Sequence, residues 1–221
     1  MAKASPAQRE AALKLLPPQR ALQLARRERP WWFHGRSDQQ VPDGDWWRWW
    51  LILAGRGWGK TRTGGECAAQ WAKRYPGSRG ALIAPTFSDG RDTMVEGESG
   101  ILSFTDFTQL RGGSISTGWN RSLGELYWAN DSRAKVFSSE QPFRLRGPQH
   151  HWLWGDEPAY WRDGAKGTAK DSTFSNANIS LRLPPLPSWP RDFRPRGVLT
   201  TTPRLVSRDD IEPRTGRPAG T

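Results

Sequence analysis

Apolar residues fall in short runs along this chain, parted by stretches rich in Pro, Gly and charge. The run "WWRWWLIL" (46–53) is continuous enough to predict a buried strand, and "VPDGDWW" (41–47) introduces it with the Pro, Asp and Gly of a turn. "TRTGGECAAQWAKRY" (61–75) suits a helix with Cys67, Ala68 and Trp71 on its inner face, stopped by Pro76-Gly77. "GALIAPTF" (80–87), "HWLWGDE" (151–157) and "GVLTTT" (197–202) predict three further strands. "GELYWAN" and "RAKVFSS" flank Asp131-Ser132 as a hairpin would. "STFSNANISLRL" (172–183) reads as a polar-faced helix and "PPLPSWP" as a loop. Strands alternating with helices imply an α/β fold with a mainly parallel central sheet flanked by helices.

The ends differ from the middle. "AQREAALKLLPPQRALQLARRERP" predicts two short helices broken at Pro17-Pro18, striped by Leu13 and Leu16, then Leu22 and Leu24. Glu10 and Glu28 speak against a transit peptide, so residues 1–40 are expected to form an arm on the main domain. From Arg204 onward "RLVSRDDIEPRTGRPAGT" has few apolar residues. Residues 205–221 are expected to be a poorly ordered tail, which leaves 41–204 as the domain.

Charge narrows the partners. Among 221 residues, 33 Lys and Arg against 22 Asp and Glu give a net charge of +11, a footprint for polyanions such as nucleic acid. The 14 tryptophans exceed the needs of an ordinary core, so some rings are candidates for stacking on bases. Cys67 stands alone, which excludes a disulfide framework and suits a reducing interior. No apolar run approaches the roughly 20 residues of a membrane helix.

Candidate chemistry begins at "AGRGWGKT" (54–61). The phosphate-loop pattern G-x-x-x-x-G-K-[ST] fits apart from Ala54 in place of the first glycine, and a strand before and a helix after supply the right context. Gly55, Arg56, Gly57, Trp58 and Gly59 would turn their amides onto phosphate oxygens, Lys60 would reach the β and γ phosphates, and the Thr61 hydroxyl would face Mg²⁺. A dinucleotide G-x-G-x-x-G fails, because Lys60 stands where its third glycine belongs. The partner of such a loop is an acid at a strand end, and "HWLWGDE" offers Asp156 for the metal and Glu157 as general base. Thr200, Thr201 and Thr202 end another apolar strand, where hydroxyls can sense a γ-phosphate. Arg144 and Arg146 precede the acidic strand, and one of them is a candidate to stabilise phosphoryl charge. Adjacent His150 and His151 point to opposite faces of a strand and form no simple chelate. Asp89, Asp92, Glu96 and Glu98 read as helix caps and solvated surface.

In this order, "WLILAGRGWGKTRTGGE", "ALIAPTF", "FRLRGPQHHWLWGDE" and "GVLTTTPR" resemble the ATPase half of the large terminase subunit of tailed bacteriophages, over roughly residues 30 to 204. The resemblance implies a P-loop NTPase of the ASCE type, with ATP and Mg²⁺ as cofactors. Its phosphate loop falls on Gly55 to Thr61, including an arginine at Arg56. Its metal-binding and catalytic acids fall on Asp156 and Glu157, and its coupling motif on Thr200 to Thr202. Arg146 matches the arginine proposed in relatives to reach a neighbouring subunit's site, and Trp46 to Trp50 lie where the family's adenine pocket is expected. It implies a motor that drives double-stranded DNA into a procapsid, as a homo-oligomeric ring with portal protein and small terminase subunit as partners, in the host cytoplasm and without a membrane. The family's nuclease domain has no counterpart here, so cleavage is not expected of this chain. A helicase-type ATPase, or a non-catalytic Trp-rich DNA-binding or capsid-associated protein, are the alternative readings.

Overall fold

The computed structural model describes residues 31, 35–44, 46–163 and 170–203; most of the expected N-terminal arm and the tail from Arg204 lie outside these. In chain order the main elements are β1 (Trp49–Leu53), α1 (Lys60–Arg74), β2 (Arg79–Ala84), β3 (Trp119–Asn120), β4 (Glu125–Tyr127), β5 (Arg133–Ser138), β6 (Trp152–Asp156), α2 (Thr173–Ser180) and β7 (Arg196–Thr201). The strands form one sheet in the order β1-β7-β6-β2-β5-β4-β3. The first five in that order are parallel, and β4 and β3 extend them antiparallel.

Both faces of the sheet are covered, and the side chains alternate between two cores. Leu82, Ala84, Trp152, Trp154 and Val198 pack with Cys67, Ala68 and Trp71 of α1. Their neighbours Ala81, Ile83, Leu153 and Leu199 pack on the other face with Ala177 of α2, Leu181 and Trp161. This is why these strands read as unbroken apolar runs: each side chain points into a core, whichever way it faces.

The edge strand departs from expectation. Among the described residues β1 has only β7 beside it, and of its own residues Ile52 alone is buried, while Leu51 and Leu53 are more than half exposed. Trp46 lies outside the strand and is 82% exposed. The segment between β2 and β3 also resolves into more than the sequence pattern implied, with short helical turns at Phe87–Asp89, Ile101–Phe104 and Ile115–Gly118 and a π-helical turn at Gly90–Val95. Here the acidic residues serve local structure. Asp89 completes a capping box with Thr86, and Asp92 and Glu96 pair with Arg121. Most tryptophans are core: Trp47, Trp71, Trp119, Trp128, Trp152, Trp154, Trp161 and Trp189 are buried, which leaves few rings to offer a nucleic-acid base.

Candidate active site

The C-terminal ends of β1, β7 and β6 lie side by side, and the sheet register decides what meets there. β7 pairs with β1 so that Thr201 sits beside Leu53, and with β6 so that Thr200 sits beside Asp156. The loop after β1 therefore faces the acids after β6 across the threonines of β7.

That loop turns through Gly57 and Gly59, whose φ values of 78° and 92° lie in the left-handed region that glycine tolerates without strain. A Cβ at Gly55 or Gly57 would meet nothing within 4 Å, so the inner side of the loop is open. Gly59 caps α1, whose first turn presents free backbone N–H groups and contains no acidic residue. That end of a helix favours an anion. Lys60 is buried, donates through Nζ to the Gly55 carbonyl at 3.1 Å, and lies 3.8 Å from Glu157 Oε1.

Asp156 is 6% exposed, and burial raises its carboxyl to a pKa of about 6, against the lowering effect of a hydrogen bond from Thr200. Thr200 Oγ1 donates to Asp156 Oδ1 at 2.6 Å. Glu157 has a backbone φ of 47°, unusual for a residue with a side chain, and its N–H donates to the Thr200 carbonyl. Its carboxylate is gripped by the threonines that end and follow β7. Thr202 N–H and Thr201 Oγ1 donate to Oε2 at 2.8 and 3.3 Å, and Thr202 Oγ1 donates to Oε1 at 2.9 Å.

Arg56, Gly57, Gly59, Lys60, Thr61, Arg62, Ser99, Glu157, Tyr160 and Thr202 line one cavity of about 500 Å³. Its cations suit a polyphosphate. Among the described residues no group of three His, Cys, Asp or Glu forms a metal cage. Thr61 lines the cavity and the buried Asp156 does not, so these two would suit an ion such as Mg²⁺ that keeps most of its water and leans on substrate phosphates.

The other candidates lie elsewhere. Arg146 does not line the cavity; it pairs with Asp171 and donates through Nε to Asn176 Oδ1 of α2 at 3.1 Å. None of Trp46, Trp47, Trp49 or Trp50 reaches the cavity either. Trp47 packs on Trp71, and Trp49 lies against Phe174 while donating to Asn178. Among the described residues before β1, Arg36 and Gln39 touch the loop, both donating to the Trp58 carbonyl, at 3.0 and 2.9 Å. Arg36 also sits over the Trp58 ring. No spacing rule singled out this pair, since a lone Gln in a polar segment carries no pattern. Ser99 and Tyr160 were likewise invisible, because only the folded chain brings them to the loop.

The profile of a family described as "Terminase large subunit, T4likevirus-type, N-terminal" matches residues 51–178. Among solved structures the chain is similar to the ATPase domain of the Thermus phage P74-26 large terminase, at 17% identity and a TM-score of 0.47 over 84% of this chain and 65% of that one. It is also similar to the large terminase of a thermophilic bacteriophage in complex with ADP, at 11% identity and a TM-score of 0.42 over 82% of this chain and 37% of that one. The chain thus spans less than two thirds of the length of either structure. A comparison with curated proteins found no match. The family match encloses both the glycine loop at Gly55 to Thr61 and the acids Asp156 and Glu157, and on that match the chain belongs to the terminase large subunit family, in its N-terminal part.

Proposed function

We propose that this chain is the ATPase of a DNA-packaging motor, binding ATP with Mg²⁺ and coupling its hydrolysis to movement of double-stranded DNA. The observation that carries the reading is the approach of Lys60 Nζ to Glu157 Oε1 at 3.8 Å, across the threonines of β7 and at the mouth of an open glycine loop. A phosphate-binding cation and a water-activating carboxylate are thereby within one γ-phosphate's reach of each other.

Roles follow from the contacts. The loop amides of Gly55 to Gly59 and the start of α1 would cradle the phosphates, with Lys60 leaving Glu157 for the β and γ oxygens. Thr61 and Asp156 would hold Mg²⁺, the latter through water. The ion's contribution is to neutralise charge on the phosphate oxygens. On Glu157, Oε2 already accepts two hydrogen bonds and Oε1 one, so Oε1 retains the lone pair able to take a proton from the attacking water. Thr202 bonds Glu157 through both its N–H and its hydroxyl. A change of charge on that carboxylate is felt directly by the backbone after β7, which gives Thr200 to Thr202 a physical means of coupling. Arg56, which lines the cavity, would act within its own subunit. Arg146 is half exposed and so is its partner Asp171. Such a pair contributes at most about 1 kcal/mol, so a neighbouring subunit's site can recruit Arg146 cheaply. The surplus of 11 positive charges suits a partner held by its phosphates, and portal and small subunit would complete the assembly. Such a motor would work in the host cytoplasm, where capsid and DNA meet. No helix among the described residues is long and apolar enough to cross a membrane.

Lys60→Ala tests the site. It should abolish DNA-stimulated ATP hydrolysis while the circular dichroism spectrum and thermal midpoint stay close to the parent's. Undiminished turnover in a folded variant refutes the assignment.

A further inference from the structure

The acidic strand holds a contact that the proposed chemistry does not yet use. Trp154 is fully buried on the α1 side of the sheet, and its indole Nε1 donates to Thr200 Oγ1 at 2.8 Å. Thr200 in turn donates to Asp156 Oδ1 at 2.6 Å. A hydroxyl has one proton and two lone pairs: the indole N–H meets a lone pair, and the ionised Asp156 carboxylate, which can only accept, takes the proton. The Gly155 carbonyl, 3.4 Å from the same hydroxyl, is the longer of the two acceptors open to that proton, and the indole holds the oxygen itself in place beside Asp156.

The surrounding chain makes room for this ring at a cost. α1 carries Gly64 in its interior, where glycine weakens a helix by about 1 kcal/mol relative to alanine. A Cβ at Gly64 would come within 2.3 Å of Trp154 Nε1, which is the very atom that makes the bond. A second indole braces the same residue from the other face. Trp161 Nε1 donates to the Asp156 carbonyl at 2.9 Å.

Resting on the reading of Asp156 as the metal-side carboxylate, we infer that Trp154 is a positioning residue. Through Thr200 it occupies Asp156 Oδ1, which leaves Oδ2 as the oxygen that would be available to a hydrated metal ion. The indole, the first coupling threonine and the carboxylate then form one hydrogen-bonded line, packed against α1 at Gly64.

The test compares affinity for a fluorescent, non-hydrolysable ATP analogue in Mg²⁺ and in EDTA, for the parent, Trp154→Phe, Thr200→Val and the double variant. Thr200→Val keeps the side-chain shape and removes the hydroxyl, so it covers the case in which the smaller ring at 154 unfolds the chain. Each single variant should cut the gain conferred by Mg²⁺ by about fivefold, the scale of one hydrogen bond, over and above any change it makes in EDTA. The double variant should lose no more than Thr200→Val alone, since both cut the same line. A Mg²⁺ gain equal to the parent's in the single variants overturns the inference, as does an equal loss with and without Mg²⁺, or additive losses. If the parent binds no analogue under either condition, the nucleotide site itself falls and the inference with it.

Discussion

Acid should destabilise this protein through two histidines that have no part in the site. His151 Nδ1 accepts the Arg79 backbone N–H at 2.9 Å, so its proton sits on Nε2, facing the Pro184 carbonyl at 3.1 Å. A second proton would have to enter against the Arg79 N–H. His150 Nδ1 lies 3.1 Å from Ser180 Oγ, whose own proton goes to the Ala177 carbonyl, so His150 is the donor. Its ring is buried edge-on against Phe137. Burial is the main cause that lowers the pKa of His150 to about 3 and of His151 to about 4. In the unfolded chain both would protonate near 6.5. Between those values the unfolded state binds more protons, so stability is present above pH 6.5 and is lost as pH falls. From pH 7 to pH 5 each histidine costs roughly 2 kcal/mol. Asp156 works the other way, because its raised pKa of about 6 lets the folded state take the extra proton, returning about 1 kcal/mol. The net loss is roughly 2–3 kcal/mol, a large share of the 5–15 kcal/mol that holds a typical domain together. Urea unfolding at pH 7 and pH 5, in EDTA to keep Asp156 free of metal, measures it. His150→Gln and His151→Gln should each remove about 2 kcal/mol of the acid loss, whatever they do to stability at pH 7. Stability that is flat between pH 7 and pH 5, or an acid loss unchanged in both variants, refutes the reasoning.

Gly64→Ala should destabilise despite alanine's better helix propensity. The new Cβ meets Trp154 at 2.3 Å between two buried elements, an overpacking cost of about 1–3 kcal/mol, and a urea midpoint at or above the parent's would contradict it. Glu157→Gln should bind ATP yet turn it over about 10² times more slowly or worse, read by equilibrium binding beside steady-state hydrolysis; loss of binding would make the residue structural. Arg146→Ala should cost the assembled motor about 10³ or more in rate. Mixing it with Glu157→Gln protein should restore part of the activity through interfaces that combine one intact arginine with one intact glutamate, and no recovery between variants that both assemble would leave Arg56 as the charge-stabilising group.

What could be read along the chain was what depends on near neighbours. A glycine loop between an apolar run and a helical pattern, an acid pair closing a second apolar run and threonines closing a third are local signals. The strands and helix carrying them appear within a residue or two of their expected places, except that β1 starts at Trp49, three residues into the run that predicted it. Turn chemistry was equally local: Asp131 does adopt a left-handed conformation between β4 and β5. Where neighbours in space are distant in sequence, the pattern fell short. "WWRWWLIL" is apolar enough for a central strand, but nothing in it tells that the sheet ends there and leaves Leu51 and Leu53 open to solvent. Trp46 to Trp50 stand next to the glycine loop in sequence, yet the strand direction and the contacts with Trp71, Phe174 and Asn178 carry them away from the cavity. The sequence determined by itself which residues are the candidates for phosphate and acid chemistry, because residue type and spacing suffice to nominate them. Only the tertiary structure decided that β7 lies between the loop and the acids, that Glu157 is held by Thr202, and that Gly64 yields its space to Trp154. Strand order and close packing are properties of pairs of segments, fixed by burial and register across the sheet, and no single segment contains them.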